Sequence, residues 1–375
     1  MSNVSSSNGL EKYPKLRFKG FSDPWKCVAF SDIADINPKS PKLPPVFYYI
    51  DLESVKGGRL LDDKIVEAEN APSRAQRLLM PNDIIFQTVR PYQQNNYFYA
   101  TERDLPTIAS TGYAVIRTKQ DPKFVYSLIH TQRFLTPVMQ RCTGSSYPAV
   151  TGTDLEDIPT WMPCLEEQKR IGALLDLIGK KIDAQTKIIE TLKKYKRGVS
   201  NAIFAEADTW EQLPFLEVFS TVSDKPYQVT TSEYYDSGSY EVVDQGKNDI
   251  VGYNNDASKV FNSVPIIVYG DHTTIIKYRN TPFIVGGDGV KLLTTHTQND
   301  LRYLYYALCQ FNIQPEGYKR HFSIVKSLYI PLPSVEQQHI IAQTLATIDL
   351  KIHKETDILE QLLLQKKALL QQLFI

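Results

Sequence analysis

Cysteine is scarce in this sequence, and its placement excludes several classes of protein. The 375 residues contain four cysteines, Cys27, Cys142, Cys164 and Cys309. No two of them have the short spacing of a zinc or dithiol motif, and they are too few for a disulfide framework. Because disulfides are rare where thiols are kept reduced, this usage favours a reducing, cytoplasmic location.

Long hydrophobic runs are also missing. The sequence has no stretch of about 18 apolar residues, the length that indicates a membrane-spanning helix. Its first ten residues, MSNVSSSNGL, are polar and lack the apolar core of a secretory signal. We therefore predict no membrane partner and no secretion.

The chain has no net charge, because 42 lysines and arginines balance 42 aspartates and glutamates. Hydrophobic residues make up 42% and charged residues 22%, as in ordinary globular proteins. This composition excludes a largely disordered chain and a polycationic coat that binds nucleic acid without sequence preference. Binding through local patches stays possible, since a groove senses only its neighbourhood. The length predicts two to three domains of roughly 150 residues.

Self-sufficient catalytic motifs are absent from the sequence. It has no GxxxxGK[ST] phosphate loop and no HExxH, and its six histidines lack metal-ligand spacing. Gly286-Gly-Asp-Gly289 departs from GxGxxG, and Leu43-Pro-Pro-Val-Phe47 lacks the polar residue of an amino-methyltransferase motif. Asp271-His272 is favoured as a structural pair, because adjacent side chains need not face each other. We predict no catalytic residue and no metal site.

The most informative feature is an internal repeat. The segment that begins at Pro163 aligns without a gap with the segment that begins at Pro333, at an offset of 170 residues. A weaker match, Trp25-x4-Phe30-x2-Ile33 with Trp210-x4-Phe215-x2-Val218, precedes the two segments at an offset of 185 residues. Two copies are too few for a solenoid. The sequence therefore predicts a duplicated two-part unit with pseudo-two-fold symmetry.

The repeated segments predict two long helices. Apolar residues recur in each at alternating steps of four and three, which is typical of a coiled-coil seam. A helix of about 40 residues is roughly 60 Å long and cannot bury such a stripe alone. We predict that the helices pair as an antiparallel coiled coil; the alternative is that each packs on its own domain. The predicted seam residues are Ile171, Leu175, Ile178, Ile182, Ile189, Leu192, Ile341, Leu345, Ile348, Ile352, Leu359 and Leu362.

Two pairs of polar residues interrupt the seam at equivalent places, Gln185 with Glu355 and Lys196 with Lys366. Polar seam residues commonly fix the register of a coiled coil. Between 180 and 197, seven lysines and arginines stand against two acidic residues. A solvated helix face is the favoured interpretation of that run, and contact with a nucleic-acid backbone or an acidic partner is the alternative.

The segments before each helix predict mixed α+β domains. Apolar β-rich runs at 83–86 and 265–269 are bounded by turn residues, and short helices are predicted at 124–133 and 301–309. The predicted organisation is an N-terminal tail (1–23), a first globular domain (24–162), a first helix (163–204), a linker (205–209), a second globular domain (210–332) and a second helix (333–375).

Several loops of these domains are dense in hydrogen-bonding side chains. Arginine pairs with guanine edges and asparagine or glutamine with adenine, while lysine and serine contact phosphates. Such loops also suit carbohydrate or protein contacts, so composition alone leaves DNA reading open. The candidate DNA-binding residues are Arg90, Tyr92, Gln93, Gln94, Asn95, Asn96, Ser145, Ser146, Tyr147, His272, Thr273, Thr274, Lys319, Arg320 and His321.

The order of these features resembles the specificity subunits of type I restriction-modification systems. The resemblance covers nearly the whole chain. Each short matching string has low specificity by itself, whereas the order and duplication of the strings are specific to the family. The strings are Pro14-Lys-Leu-Arg-Phe-Lys-Gly-Phe21 with Trp25, Asp83-Ile-Ile-Phe86 with Val89-Arg-Pro-Tyr92, Tyr269-Gly-Asp-His-Thr-Thr274 with Asp288-Gly289 and Lys319-Arg-His-Phe-Ser323, Pro163-x2-Glu-Glu-Gln-Lys-Arg-Ile171, and Pro331-Leu-Pro-Ser-Val-Glu-Gln-Gln338.

The resemblance implies a non-catalytic subunit that addresses a complex to DNA. Each globular domain would read one half of a split double-stranded sequence, and the helix pair would set the unread spacer. The helices would dock modification subunits, which methylate adenine, and restriction subunits would join them. The chain itself would hold no cofactor, with S-adenosylmethionine, ATP and Mg²⁺ on the partners. The second hypothesis is a duplicated protein-binding scaffold without DNA contact.

Overall fold

The computed structural model of the chain describes residues 12–62, 64–317 and 319–375. Residues 1–11 of the predicted tail, on which the expectation of no secretory signal rests, and Tyr318, which precedes the candidates Lys319 and Arg320, lie outside this part. The chain divides into two units. Unit 1 runs to Thr186 and includes Ile358–Ile375, and unit 2 is Lys187–Asp357. Each unit therefore contains a mixed α/β region and parts of both long helices.

The helices and strands before the first long helix all belong to unit 1. They are β1 (Lys26–Ala29), α1 (Phe30–Ile33), β2 (Ala34–Ile36), β3 (Val46–Ile50), β4 (Val55–Lys56), β5 (Arg59–Leu60), β6 (Lys64–Glu67), β7 (Ala75–Leu79), β8 (Asp83–Gln87), β9 (Tyr97–Tyr99), β10 (Thr107–Ser110), β11 (Tyr113–Thr118), α2 (Pro122–Leu128), α3 (Gln132–Arg141), α4 (Gly152–Glu156) and β12 (Pro159–Met162), with 3-10 turns at Ala68–Asn70 and Pro91–Gln93.

The first long helix, α5, spans Leu165–Phe204. The elements that follow it are β13 (Glu211–Pro214), α6 (Phe215–Val218), β14 (Ser220–Val222), β15 (Gln228–Val229), β16 (Tyr240–Val243), β17 (Gly252–Asn254), β18 (Val260–Phe261), β19 (Ile266–Gly270), β20 (Ile276–Arg279), β21 (Phe283–Gly286), β22 (Val290–Thr294), α7 (Leu301–Phe311), α8 (Phe322–Val325) and β23 (Tyr329–Leu332), with 3-10 turns at Ala207–Thr209, Lys225–Tyr227, Thr231–Glu233 and Ala257–Lys259. The second long helix, α9, spans Val335–Leu373.

The sheets of the two units have the same connectivity. One antiparallel sheet has the order β2-β11-β8-β9 in unit 1 and β14-β22-β19-β20 in unit 2. A second sheet pairs β10 in parallel with β3, and β10 is antiparallel to β7. In unit 2, β21 is parallel to β16 and antiparallel to β18, and β15 is added beside it. A two-stranded ribbon, β1 with β12 and β13 with β23, leads into each long helix. The duplication predicted from the helices thus extends through the strands.

Buried apolar runs form the middle of these sheets. In β8 every residue is buried, as in β19. A continuous apolar run is typical of a strand that is covered on both faces. The two strands predicted at 83–86 and 265–269 are therefore confirmed, with ends shifted by about one residue, as expected for boundaries drawn from sequence.

One predicted helix is wrong in its extent. The 124–133 segment contains the end of α2 and the start of α3, with a break between them. The Thr131 side chain accepts a hydrogen bond from the amide of Phe134 and so begins a new helix, because a hydroxyl at this place satisfies a free amide of the first turn. The helix predicted at 301–309 is present and runs two residues further.

A buried glutamine explains one strongly matched pair of the repeat. Gln168 Oε1 accepts a hydrogen bond from the backbone amide of Asp121, and its Nε2 donates to the carbonyl of Pro163 at 3.0 Å. Gln338 makes the same two bonds, to the amide of Asp300 and the carbonyl of Pro333. Asp121 and Asp300 are the N-caps of α2 and α7. The glutamine therefore fastens the start of a long helix to a short helix in each unit.

An aromatic cluster closes the core of each unit at the end of a long helix. In unit 1 the Phe374 ring lies 5.1 Å from Phe124 and 6.2 Å from Trp25, between ring centroids. In unit 2 the Phe204 ring lies 6.0 Å from Trp210 and 6.1 Å from Tyr303. Edge-on and tilted pairs at these distances are favourable beyond the area they bury. The matched phenylalanine and tryptophan of the repeat therefore make the same contact in both units, Phe374 with Trp25 and Phe204 with Trp210.

The predicted seam residues lie away from solvent. All twelve are buried or half-buried, and so are the four polar residues that interrupt the seam. Within unit 2, the Lys196 ammonium is 2.6 Å from Asp349 Oδ1. The neighbouring residues Leu177 and Leu350, outside the seam, are each 54% exposed. The apolar stripe thus separates buried from exposed faces as the sequence predicts.

The basic run between 180 and 197 is mostly a solvent-facing surface. Lys181, Lys193, Lys194 and Arg197 are exposed, and Lys180 is 3.0 Å from Asp176 Oδ2 one turn earlier.

Among the described helices, none is both long and apolar enough to cross a membrane.

Replacing Phe374 with alanine is expected to destabilise unit 1 by about 3–5 kcal/mol, the usual cost of truncating a buried phenylalanine. Hydrogen exchange of the full chain measures this locally. Exchange should accelerate in β8 and β11 while β19 and β22 stay protected. Phe204→Ala is the matched control, with the reverse pattern expected. Equal acceleration in both units by either variant would contradict the assignment of each phenylalanine to one core.

Candidate nucleic-acid interface

The 90–97 loop of unit 1 is fastened to the end of β8 by one residue. Gln87 Oε1 accepts a hydrogen bond from the amide of Asn95 at 3.1 Å, and its Nε2 donates to Gln93 Oε1 at 2.9 Å. The backbone amide of Gln87 donates to Asn96 Oδ1 at 2.9 Å. Gln87 is buried, so these bonds are shielded from water. Gln87 is not among the candidates drawn from the sequence. The signal that could have found it is a glutamine at the end of a buried apolar strand.

The backbone of the same loop turns sharply on either side of Pro91. Arg90 and Gln94 have left-handed φ values of 55° and 51°. Non-glycine residues rarely adopt this conformation, and it is held here by surrounding structure. The turn exposes the side chains of Tyr92 and Gln93. The loop is thus a preformed surface feature.

The structure brings the 144–147 loop against the 90–97 loop. The amide of Arg90 donates to the carbonyl of Pro148 at 2.7 Å. The Arg90 guanidinium carbon lies 4.4 Å from the centre of the Tyr147 ring, within the range of a cation–π contact. Ser145, Ser146 and Tyr147 are exposed. Two loops that are about fifty residues apart in sequence therefore form one polar surface, which no spacing rule predicts.

Asn96 is a structural residue. Its side chain is fully buried, and its Nδ2 lies 3.3 Å from His130 Nε2. His130 Nδ1 lies 2.6 Å from the carbonyl of Tyr126, so Nδ1 donates there and Nε2 accepts. Burial lowers the pKa of His130 to about 4, so the ring is neutral near pH 7. The Asn96 amide is thus occupied inside the protein, and the base contact expected of it stays a prediction.

Asn95 is also engaged within unit 1. Its Oδ1 accepts a hydrogen bond from the amide of Gly57 at 3.1 Å. Asn95 and Gln94 are half-buried, unlike Tyr92 and Gln93. The outward part of the loop is therefore Tyr92 with Gln93.

In unit 2 a glutamine again joins two loops. Gln245 Oε1 accepts a hydrogen bond from the amide of His272 at 3.0 Å, and its Nε2 donates to the carbonyl of Asp288 at 2.9 Å. The Thr273 hydroxyl donates to the backbone carbonyl of Gln245. Gly289 has a φ of 81°, and a Cβ there would lie 2.7 Å from Gln245 Nε2. A glycine is needed because the two loops approach so closely.

Gln245 is held in place by a buried lysine. The Lys277 ammonium donates to the carbonyl of Asp244 at 2.9 Å and to the carbonyl of Asn248. Burial lowers the pKa of Lys277, and Asp244 raises it in part. A buried ammonium that satisfies carbonyls on both sides of a turn fixes that turn. Neither Gln245 nor Lys277 was among the sequence candidates.

His321 and Thr274 are buried, and the base contacts expected of them stay predictions. His321 is fully buried; its Nδ1 lies 3.1 Å from the carbonyl of Asp271, and its Nε2 accepts from the amide of Glu316 at 2.9 Å. Asp271 Oδ1 accepts from the amide of Phe322 at 2.8 Å. The Thr274 carbonyl accepts from Asn312 Nδ2. Asp271 therefore anchors α8 through the amide of Phe322.

Of the other unit 2 candidates, Lys319 and Arg320 are exposed, and His272 and Thr273 are half-buried. The Lys319 ammonium is 2.5 Å from Glu316 Oε2, which offsets its charge. In the part of the chain that the structure describes, no group of three or more His, Cys, Asp or Glu side chains is placed to hold a metal ion. The arrangement offers hydrogen-bonding and cationic surface.

The model of the family "Type I restriction modification DNA specificity domain" matches residues 23–194 and 207–364. The EcoR124I/EcoR124II specificity subunit of Escherichia coli is 29% identical over 102 residues, 26% of this chain and 25% of that protein. The HindI specificity subunit of Haemophilus influenzae is 22% identical over 171 residues, 44% of this chain and 37% of that protein. These two alignments thus span well under two thirds of the relatives' lengths.

A longer alignment, with the MjaVIII specificity subunit of Methanocaldococcus jannaschii, has 25% identity over 306 residues, 65% of this chain and 67% of that protein. Among solved structures, a type I restriction-modification S subunit from M. genitalium has a TM-score of 0.64 at 14% identity, covering 97% of this chain and 99% of the other. A chain from a type I complex has a TM-score of 0.52 at 21% identity, covering 92% and 96%. At these identities the structural likeness concerns the fold, and it confirms the predicted α+β architecture with long helices.

Replacing Gln87 with leucine is expected to release the 90–97 loop, because buried hydrogen-bonding groups lose their partners at a cost of about 1–3 kcal/mol. Hydrogen exchange of a peptide covering the loop should accelerate markedly. Gln93→Ala is the matched control, since it removes one of the bonds and leaves the amide of Asn95 paired. Unchanged exchange in the Gln87 variant would show that the loop is held by other contacts.

Proposed function

Because the chain belongs to the family of type I restriction-modification DNA specificity domains, we propose that each unit reads one half of a split DNA sequence. The chain is a non-catalytic specificity subunit. One observation carries the proposal: the two units share one sheet topology, and polar loops follow the equivalent strands β8 and β19 in both. A duplicated reader with different loops suits a target whose halves differ in sequence.

Several exposed or half-buried loop residues have the chemistry for reading bases. In unit 1 these are Arg90, Tyr92 and Gln93 together with Ser145 and Ser146. Arginine recognises guanine in bidentate fashion, glutamine recognises adenine, and serine hydroxyls contact bases or phosphates. In unit 2 the readers we propose are His272, Thr273, Lys319 and Arg320. Lys319 and Arg320 would mainly contact phosphates, which position the duplex without reading it.

We further propose that α5 and α9 pair as an antiparallel coiled coil that sets the spacer between the half-sites. Two observations support this. Every predicted seam residue is buried or half-buried. Unit 1 holds the first part of α5 with the end of α9, and unit 2 holds the end of α5 with the first part of α9. That partition is expected of helices that run in opposite directions. The proposed domain limits remain 24–162 and 210–332.

The proposed partners follow from this role. Modification subunits would dock on the helices and methylate adenine with S-adenosylmethionine, and restriction subunits would add a motor and nuclease that use ATP and Mg²⁺. The cytoplasm, where double-stranded DNA is accessible, is the proposed location. The second candidate, a protein-binding scaffold without DNA contact, makes a different prediction: duplex binding by the assembled complex would show no steep dependence on salt.

The test of the function is a map of methylated adenine in the native genome, with and without the gene for this chain. A split, non-palindromic motif should disappear with the gene. Exchanging residues 210–332 for another recognition domain should then change one half of that motif. A map that stays the same while the protein and its partners are expressed would contradict the proposal.

Replacing Arg90 with alanine is expected to weaken binding of the cognate duplex by about 1–3 kcal/mol, if one bidentate base contact is lost. The assembled methyltransferase, titrated with the mapped target at fixed salt, measures the change. Arg74→Ala is the control, because Arg74 is exposed and lies outside the candidate loops. Equal affinity of the Arg90 variant and the parent would make Arg90 a structural residue that packs on Tyr147.

Replacing Ile178 and Ile348 together with aspartate should separate the helix pair, because two carboxylates would be placed in an apolar seam. Thermal unfolding and size-exclusion chromatography of the mixture with modification subunits check this. We expect a lower unfolding temperature and no assembled complex.

The matched control for the seam variant is Leu177→Asp with Leu350→Asp, one residue earlier on α5 and two later on α9. These leucines are exposed, so the unfolding temperature of the control should stay near that of the parent. An intact complex with the Ile178 and Ile348 variant would contradict the coiled-coil ruler.

A further inference from the structure

The lysine that interrupts the seam is neutralised in unit 2. The Lys196 ammonium is 2.6 Å from Asp349 Oδ1 and 5.2 Å from the centre of the Tyr306 ring. The Tyr306 hydroxyl donates to Asp349 Oδ2 at 2.7 Å. One carboxylate and one phenol ring therefore surround this partly buried cation.

The equivalent lysine of unit 1 lacks both groups. Lys366 aligns with Lys196 at the offset of 170 residues, and Gly179 occupies the place of Asp349. The N-caps Asp121 and Asp300 align α2 with α7, which places Ser127 where Tyr306 stands. Among the described residues, none forms an ion pair with Lys366 within 4.0 Å. Unit 1 therefore has the lysine of the repeat without an equivalent of Asp349 or Tyr306.

A cavity occupies the space that the missing side chains leave. Its volume is about 250 Å³, and its lining includes Lys366, Gly179, Ser127, Phe98 and Tyr126. A Cβ built on Gly179 would have no heavy atom within 4 Å, so the glycine opens directly on free space. For scale, an apolar cavity of about 150 Å³ holds a benzene molecule. The space around Lys366 is large enough for a ring that carries a carboxylate.

The charges around the cavity leave Lys366 as its unmatched cation. Asp176 is paired with Lys123 at 2.9 Å and Lys180 at 3.0 Å. Asp183 also lines the cavity; its carboxylate lies 4.0 Å from Arg59 and attracts Lys366 without an ion-pair contact within 4.0 Å.

Lys366 also lines a second cavity, whose other charged residues are Lys15, Arg133 and Lys367 and which has no acidic side chain among its described lining. Burial lowers the pKa of Lys366, and Asp183 raises it in part. A desolvated cation without a close anion is unfavourable, and a bound carboxylate would relieve it.

We propose that the cavity between Lys366 and Gly179 binds a small aromatic carboxylate. Its carboxylate would take the place that Asp349 has in unit 2, and its ring would take the place of Tyr306 beside the Phe98–Tyr126 pair, whose ring centroids are 5.8 Å apart. Because Lys366 lies on α9 and Gly179 on α5, the ligand would bridge the two helices within unit 1. Such a ligand stabilises unit 1 by mass action and does not depend on DNA recognition.

The test is isothermal titration of the full chain with 4-hydroxyphenylacetate, which carries both the carboxylate and the phenol ring. We expect one site with a Kd on the order of 1 mM or tighter. Lys366→Met should weaken binding at least tenfold. Gly179→Asp should abolish it by supplying the carboxylate from within the chain, whereas Gly179→Ala, which adds a Cβ and no charge, should keep it.

Three controls separate this site from general effects. Lys196→Met should leave the titration unchanged, because that lysine serves unit 2. The uncharged analogue 4-hydroxyphenylethanol and inorganic phosphate should each bind at least tenfold more weakly than 4-hydroxyphenylacetate.

Three results would overturn the proposal. They are no binding by the parent chain, equal binding by the Lys366 variant, and equal binding of phosphate, which would indicate an anion site without a place for a ring. Independently of any ligand, Gly179→Asp should unfold at a higher temperature than Gly179→Ala, because only the aspartate can pair with Lys366. All these readouts are independent of the methylation map, so they can fail while the specificity function stands.

Discussion

Each unit depends on an aromatic residue at the end of a long helix for the closure of its core. Phe374 fills this place between Trp25 and Phe124, and Phe204 fills it beside Trp210. A long helix with an apolar stripe cannot be stable alone, and a domain that lacks one wall of its core cannot either. The aromatic cluster stabilises both, because the long helix and the core of the unit bury apolar surface against each other there. Residues of the first antiparallel sheet, the short helices and the long helices pack around it in the main core of each unit.

The two copies agree in the contacts that hold the fold together and differ in their polar loops and cavities. Gln168 and Gln338 make the same hydrogen bonds, and the strand pairings correspond, although the globular sequences match poorly. The loops differ between the units, because Gln87 and Gln245 hold them through different hydrogen-bond partners. The two equivalent lysines of the repeat also differ in their surroundings. Lys196 forms an ion pair with Asp349, and Lys366 forms none within 4.0 Å among the described residues. Symmetry therefore persists in buried bonds and breaks at surfaces and cavities.

The sequence predicts the framework well, because a periodic seam and an ungapped repeat report on burial directly. Both long helices, the central strands and the mixed class are as expected. The loops show the limit. Asn96 and His321 have the side chains of base readers, yet the structure buries both as internal hydrogen-bond partners. Gln87 looks like the end of a strand and proves to fix a loop. Which polar side chain faces inward is decided by contacts between distant segments, and local pattern carries no signal of those contacts.

The aromatic cluster of unit 1 also sets an order on the ribosome. Trp25 and Phe374 are 349 residues apart, so at ordinary rates of synthesis the first waits roughly 20–70 s for the second. Every residue of unit 2 emerges within that interval, because unit 2 ends at Asp357. The domain that begins first is thus completed last, and Trp25 and Phe124 wait for Phe374 until nearly the whole chain has been made. Slow or stalled translation near residue 370 would therefore leave Trp25, 349 residues earlier in the chain, without its aromatic partner.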